Sequence, residues 1–103
     1  MTQRNRSGTR EDRHAAEALA VAALGFIAGE PERLGRFLAM SGIGPDSIRA
    51  AAREPQFLLG VLDHLAADEA LLLAFAAEKS IPPNAVIKAR DTIAGRHWER
   101  DTP

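Results

Sequence analysis

The chain has 103 residues, a net charge of −1 and no cysteine. A chain of this length forms one domain that buries roughly 60% of its unfolded surface. The lack of cysteine excludes disulfides and thiolate metal sites, and it fits a reducing compartment. No apolar stretch approaches the roughly 20 residues that span a bilayer, and residues 1–13 contain no signal-peptide core. We therefore expect a cytoplasmic protein with no membrane partner.

Charge and composition vary along the chain. Residues 1–13 carry four arginines and two acids, whereas residues 14–88 carry six basic and nine acidic residues. This acidic central part is a poor electrostatic partner for a phosphate backbone. Alanine and leucine dominate, which predicts an all-α fold, a compact bundle of about six short helices. We divide the chain into a disordered basic arm (1–10), a single helical domain (11–95) and an irregular tail (96–103).

The first helix is predicted over residues 11–28. One face carries its core stripe, which consists of Ala16, Leu19, Ala20, Ala23, Phe26 and Ile27. A second stripe of small residues predicts the close approach of another helix, and it consists of Ala18, Ala22, Gly25 and Gly29. Because this helix is apolar on most sides, we expect it to lie at the centre of the bundle.

Two helices meet at the sequence Ser-Gly-Ile-Gly-Pro over residues 41–45. Gly42 suits the left-handed position just past the second helix, and Ile43 suits the hydrophobic contact of a Schellman ending. Gly44 and Pro45 then suit the N-cap and the first position of a short third helix. The segment is therefore predicted to turn one helix directly into the next.

Proline and aspartate mark the remaining helix starts. Pro31, Pro55 and Pro83 each suit the first turn of a helix, and Asp68 suits an N-cap. The three prolines predict the starts of the second, fourth and sixth helices, and the aspartate predicts the start of the fifth. The sixth helix is predicted to close at Gly95.

The second and third helices recur later in the chain as an internal repeat. Six positions match at a constant spacing of 38 residues. The residues Leu34, Phe37, Ile43, Pro45, Asp46 and Ile48 correspond to Leu72, Phe75, Ile81, Pro83, Asn84 and Val86. Two copies are too few for a solenoid, so the pattern predicts two pseudo-repeated helix-corner-helix units within one compact bundle.

The corner at residues 41–49 resembles that of duplicated helix-hairpin-helix domains, in which a glycine-hydrophobe-glycine loop presents N–H groups to phosphate oxygens. The resemblance implies nucleic-acid contacts by Gly42, Gly44, Arg49, Arg53 and Lys88. It is weakened by Asp46, whose charge repels phosphate, and by Pro82 in the second corner, which removes a donor. A folding role for the corner is therefore favoured, and nucleic-acid binding is the alternative function.

Few residues suggest catalysis or metal binding. His64 and Asp68 stand one helical turn apart, as two metal ligands can, and Asp63, Asp68 and Glu69 are candidates for an acid/base pair of carboxylates. Acids beside a helix boundary more often cap the helix or face solvent, so we predict no catalytic residue, no cofactor and no metal. An enzyme would require bound metal or a cleft that joins His64 to Asp63 and Asp68.

Three segments carry a family resemblance. They read PERLGRFL at residues 31–38, DEALLLAFA at 68–76 and IPPNAV at 81–86. The chain resembles here, over about residues 14–90, a family of short uncharacterised proteins of alphaproteobacteria, a domain of unknown function. The resemblance implies a small cytoplasmic bacterial protein of helical fold, and it implies no activity.

Four apolar residues fall outside the predicted core stripes, namely Val21, Leu59, Leu73 and Trp98. A cluster of such residues can form a patch for a partner, and ordinary packing within a six-helix bundle is the other explanation. The leading hypothesis is a non-enzymatic helical protein-interaction module. This module would use the patch to contact an unknown protein partner or to form a homodimer.

Overall fold

The computed structural model describes the backbone of residues 2–101 and the side chains of residues 10–95. Six α-helices in this part of the chain confirm the predicted all-α bundle. They are α1 Thr2–Ala28, α2 Pro31–Ser41, α3 Ile48–Ala51, α4 Pro55–Ala66, α5 Glu69–Lys79 and α6 Pro83–Asp101. One 3-10 turn, Pro45–Ser47, leads directly into α3. Of the helices described, none is both long enough and apolar enough to cross a membrane.

Proline and aspartate set the helix starts as predicted. Pro31 and Pro55 stand in the first turns of α2 and α4, and Pro83 is the first residue of α6. α5 begins differently, because Oδ1 of Asp68 accepts a hydrogen bond from the N–H of Leu71 at 3.2 Å. The first N–H groups of a helix have no partner within it, so proline loses nothing there and a carboxylate satisfies one of them.

Three helix bounds differ from the predicted ones. α1 begins at Thr2, inside the segment 1–10 that the composition predicts as a disordered arm. α6 continues through Gly95 to Asp101, into the predicted irregular tail. No proline interrupts either stretch, and extending a helix requires no new nucleus. The predicted third helix is a 3-10 turn followed by only four α-helical residues, Ile48–Ala51. Where the folded domain ends within α1 and α6 stays a prediction.

The core lies between α1, α4 and α6, which contact one another, while α2 packs on α1 and α5 packs on α4 and α6. Phe26 of α1 meets Phe75 of α5 edge to face, with ring centroids 5.3 Å apart. This is a favoured arrangement of two aromatic rings. Arg33 of α2 holds its guanidinium 4.1 Å from the centre of the Phe26 ring, so a cation–π contact also joins α2 to α1.

The predicted core stripe of α1 is confirmed. Its buried members are Ala16, Ala20, Ala23, Phe26 and Ile27. Leu19 is partly buried and packs against the core. Because α1 contacts α2, α4 and α6, it is one of the three helices that surround the core.

The close helix contact predicted along the small-residue stripe of α1 is wrong. Ala18, Gly25 and Gly29 are exposed, and Ala22 is only partly buried. Nothing lies within 4 Å of a Cβ placed at Gly25. Small residues offer little apolar area to bury, and the larger Leu24 is buried instead.

The corner after α2 does not form the predicted Schellman ending. Gly42 is left-handed as expected, with φ of 75°, and its N–H donates to the carbonyl oxygen of Leu38 at 2.9 Å. The N–H of Ile43 donates to Oγ of Ser41 at 3.3 Å. Because the serine hydroxyl accepts from the N–H that a Schellman ending would use, the corner is the simpler left-handed motif.

The corner after α5 does form a Schellman ending. The N–H of Ile81 donates to the carbonyl oxygen of Ala76 at 3.0 Å, and that of Ser80 donates to Ala77 at 3.2 Å. Ser80 takes the left-handed position with φ of 57°. The two corners thus both use a left-handed residue after the helix, but with different residues and different hydrogen bonds.

The matching residues of the two units are buried to different depths. Val86 is fully buried, whereas its counterpart Ile48 is only partly buried. Ile81 packs against the core, whereas Ile43 lines a cleft. Both units contribute a buried phenylalanine to the core, Phe37 and Phe75, and the first unit also forms one side of the cleft.

Candidate functional site

A cleft of about 730 Å³ lies between α2 and α4. α2 and the corner after it contribute Arg36, Phe37, Met40, Ser41 and Ile43. α4 and the turn into α5 contribute Gln56, Phe57, Gly60, Asp63, His64, Ala67, Asp68 and Glu69. The volume is in the range of binding pockets, and the lining combines apolar and charged groups as such pockets do.

Three rings form the floor of the cleft. Phe37 is buried, and its ring meets Phe57 at 5.8 Å and His64 at 5.1 Å between centroids, edge to face in both cases. Met40 follows Phe37 by one helical turn and is 72% exposed, more than any other large apolar residue among those described. The floor is therefore held by packing, and its apolar surface reaches solvent at Met40.

Charged side chains lie at the end of the cleft where α4 ends and α5 begins. Nη1 of Arg36 lies 3.9 Å from Oδ2 of Asp68, and Nε of Arg90 lies 3.7 Å from Oδ1 of Asp63. Both separations exceed the length of a charge-assisted hydrogen bond, and pairs this exposed add little to stability. Asp68 is also fixed by its hydrogen bond to the N–H of Leu71, so its carboxylate has a defined position.

His64 stands between the aromatic floor and the charged end. Burial lowers the pKa of its imidazole below the ordinary value of 6.5, while the Asp68 carboxylate raises that pKa and the Arg36 guanidinium lowers it, each by less. Burial has this effect because it disfavours the charged form of the ring. At neutral pH the imidazole is therefore uncharged, which suits its packing against Phe37.

Gly60 leaves space in the middle of the cleft. It lies on α4 one turn from both Phe57 and His64, and nothing lies within 4 Å of a Cβ placed there. Glycine inside a helix costs about 0.5–1 kcal/mol relative to alanine. A side chain at this position would project into the cleft, so the glycine keeps the cleft open.

The structure brings together the three polar residues that an enzyme of this sequence would require. Asp63, His64 and Asp68 all line the cleft. Both carboxylates already face an arginine, and Asp68 caps α5. Within the described residues, no group of three potential ligands is placed to hold a metal ion. The absence of catalytic and metal-binding residues stays a prediction.

The residues of the predicted interaction patch have different environments. Val21 on α1 and Leu73 on α5 are each 48% exposed. Leu59 is partly buried and packs against the core, as ordinary bundle packing would require. The side chain of Trp98 lies outside the described residues. The use of these four residues as one surface stays a prediction.

The sequence does not predict the cleft, but two signals for it are visible in retrospect. The helical pattern places Phe37 and Phe57 on core stripes, and it gives no role to Met40 one turn beyond Phe37. Gly60 follows Phe57 by one turn. A large apolar side chain on one helix and a missing side chain on the other are the two signals that mark the site.

The corner considered for nucleic acid uses two of its N–H groups within the protein. Gly42 donates to Leu38 and Ile43 donates to Ser41, so neither N–H points to a phosphate in this geometry. Gly44 is exposed. The three basic residues of that hypothesis are also exposed, and they are Arg49, Arg53 and Lys88. Nucleic-acid binding stays a prediction.

The fold and the cleft define a small all-α bundle with an apolar site that is charged at one end. Residues 13–96 match the family described as "Protein of unknown function (DUF3572)". Because that match covers most of the chain, the protein belongs to this family. Comparison with curated proteins and with solved structures found no match. The resemblance to a domain of unknown function is thus confirmed, while the alphaproteobacterial source and the helix-hairpin-helix resemblance stay predictions.

Proposed function

We propose that this protein is a non-enzymatic interaction module that binds an apolar side chain of a protein partner in the cleft between α2 and α4. One observation carries the proposal: a packed aromatic floor ends in an exposed apolar side chain. Phe37 is held between two rings, and Met40 is 72% exposed. Aromatic residues and methionine are enriched where protein interfaces are fully buried, so the cleft has the composition of an anchor site.

The polar groups of the cleft favour binding over catalysis. Asp63 and Asp68 each face an arginine, and Asp68 holds the start of α5. A general base must present a free oxygen or nitrogen to the proton that it removes. One oxygen of Asp68 is instead used to cap α5, and each of the two carboxylates lies beside an arginine, an arrangement that favours binding of a ligand over removal of its proton.

The partner is either a different protein or a second copy of the chain. The predicted patch at Val21 and Leu73 is a competing location on the same molecule, because both residues are 48% exposed. The cleft is favoured over the patch because it is concave. A concave apolar site surrounds the side chain that enters it, and it therefore removes more apolar area from water.

We also propose that the protein acts in the cytoplasm of a bacterium. The absence of cysteine fits a reducing compartment. The resemblance of residues 31–38 and 68–76 to short alphaproteobacterial proteins supports the bacterial source.

Photo-crosslinking tests the location of the binding surface. A photoreactive amino acid replaces Met40 in the full chain, in cells that produce the protein, and replaces Leu73 in a parallel experiment. We expect a discrete adduct from position 40 and none from position 73. A second copy of the chain is recognised as the partner when the adduct has twice the mass of the chain.

A matched pair of glycine variants provides the control. Gly60→Trp fills the cleft, whereas Gly35→Trp adds the same side chain to α2 outside it, and nothing lies within 4 Å of a Cβ at either position. We expect Gly60→Trp to abolish the adduct from position 40 and Gly35→Trp to preserve it, with both variants folded by circular dichroism. An adduct that forms only from position 73, or one that persists in Gly60→Trp, would show that the cleft is not the binding surface.

A further inference from the structure

The cleft has an apolar end and a charged end. Arg36 of α2 lies beside Asp68, just past the end of α4. Phe37, the next residue of α2, meets Phe57 near the start of α4, and Met40 follows one turn later. Phe57 precedes Asp68 by eleven residues, which is roughly 16 Å at the rise of a helix. A ligand that spans the cleft therefore meets apolar and charged groups in a fixed order.

Acidic side chains outnumber basic ones at the charged end. The lining includes Asp63, Asp68 and Glu69 against Arg36. Asp63 is paired with Arg90 and Asp68 with Arg36, at 3.7 and 3.9 Å, while Glu69 makes no ion pair among the described residues. The negative end of the α4 dipole and the positive end of the α5 dipole meet here and oppose each other. The side chains therefore set the sign of the charge, which is negative.

We infer that the partner presents an amphipathic helix that places an apolar residue over Gly60 and a basic residue, two to three turns away, beside Glu69. This inference rests on the proposed function and names the chemistry of the partner. A helix laid in an apolar groove uses side chains at such spacings. A basic side chain complements the carboxylates, whereas an acidic one would be repelled by them.

The existing ion pair does not prevent such a contact. The Arg36 side chain is 69% exposed and its nitrogen lies 3.9 Å from the Asp68 oxygen, so this pair is weak. A partner's lysine or arginine competes with Arg36 for Asp68, and at Glu69 it meets no cation that the described part of the chain already pairs with that carboxylate. Arg36 then turns to solvent at little cost, because it is already exposed.

Two synthetic peptides test the inference. Both are 18-residue amphipathic helices with the same leucine positions, and the polar face is lysine in one and glutamate in the other. Each is titrated into the ¹⁵N-labelled full chain while the amide signals of Gly60, His64 and Glu69 are followed. We expect the lysine peptide to shift these signals with an affinity at least roughly tenfold higher at low salt, and to lose that advantage as salt is added.

A pair of charge variants separates a local contact from general attraction. Glu69→Lys and Glu78→Lys make the same change in net charge on the same helix, but only Glu69 lines the cleft. We expect Glu69→Lys to weaken lysine-peptide binding on the order of tenfold and Glu78→Lys to weaken it by less than about twofold. Gly60→Trp should abolish the shifts and Gly35→Trp should retain them.

Several outcomes would overturn the inference. Equal binding of both peptides in a cleft that Gly60→Trp blocks would refute the basic partner and leave the proposed function standing. Equal weakening by Glu69→Lys and Glu78→Lys, or no shift of the cleft signals by the lysine peptide, would also refute it. Cleft signals that move with the concentration of the chain alone would identify a second copy as the occupant instead.

Discussion

Protonation of His64, which packs in the aromatic floor of the cleft, makes the free energy of unfolding depend on pH. Burial lowers the pKa of this residue below 6.5, so between the lowered pKa and 6.5 the unfolded chain binds more protons than the folded one. Folded stability therefore falls as the pH drops through that window and is restored as the pH rises above it. We expect the free energy of unfolding to be lower at pH 5 than at pH 7.5, partly because of His64.

Urea unfolding of the wild type and His64→Gln at these two pH values measures this contribution. Glutamine keeps a neutral polar side chain at the position, and all other titrating groups are the same in both proteins. The loss of stability between pH 7.5 and pH 5 should be smaller in His64→Gln. An equal loss in the two proteins would mean that the imidazole titrates as it does in the unfolded chain.

At the scale of elements, both corners favour glycine, so removing glycine from the first and adding it to the second should change stability in opposite directions. Gly42 and Ser80 both hold left-handed backbone, with φ of 75° and 57°, which costs a residue with a Cβ about 1–2 kcal/mol. We expect Gly42→Ala to destabilise the protein by about 1 kcal/mol and Ser80→Gly to stabilise it by up to about 1 kcal/mol. Urea unfolding of the two variants at pH 7.5 provides the measurement.

Gly44→Ala is the matched control for the first corner. Gly44 has φ of −79°, which any residue adopts, and nothing lies within 4 Å of a Cβ placed there. Its replacement should change stability by less than about 0.5 kcal/mol. A destabilising Ser80→Gly would indicate that the serine side chain, rather than its backbone angle, holds the second corner.

The helices and corners were largely predictable because their signals are local. Pro31, Asp68 and Gly42 each act on backbone groups within one turn of themselves, so their effect is readable from the residues alone. The cleft depends on contacts between distant residues. Phe37 of α2 meets Phe57 of α4 only because the tertiary fold brings these two side chains together, and no helical spacing encodes that contact.

Two predictions from local patterns failed, at the first corner and on the small-residue stripe of α1. The Ser41 hydroxyl competes for a backbone donor, which a pattern of glycine and isoleucine does not reveal. The small residues of α1 permit a close neighbour but do not attract one, and Gly25 faces open space. Residues that only leave room for a neighbouring helix therefore predict packing less well than residues that satisfy a hydrogen bond or bury apolar area.

At the scale of the whole molecule, the two copies of the internal repeat place their matching phenylalanines in different surroundings. Phe75 is fully buried and meets Phe26 of the central helix. Its counterpart Phe37 is nearly as buried, but it lines the cleft. Loss of the Phe75 ring creates a closed cavity, whereas loss of the Phe37 ring enlarges a space that solvent already reaches.

This difference predicts that the same substitution lowers the free energy of unfolding by different amounts at the two matching phenylalanines. Phe75→Ala should lower the free energy of unfolding by about 3–5 kcal/mol, because the transfer cost and the cavity cost add. Phe37→Ala should cost only about 2 kcal/mol, the transfer term alone, and it should weaken binding of the lysine peptide. Urea unfolding of both variants gives the first result and the amide titration gives the second. Equal costs at the two positions would show that solvent does not reach the space beside Phe37, and the cleft would then lack the open floor on which its proposed function depends.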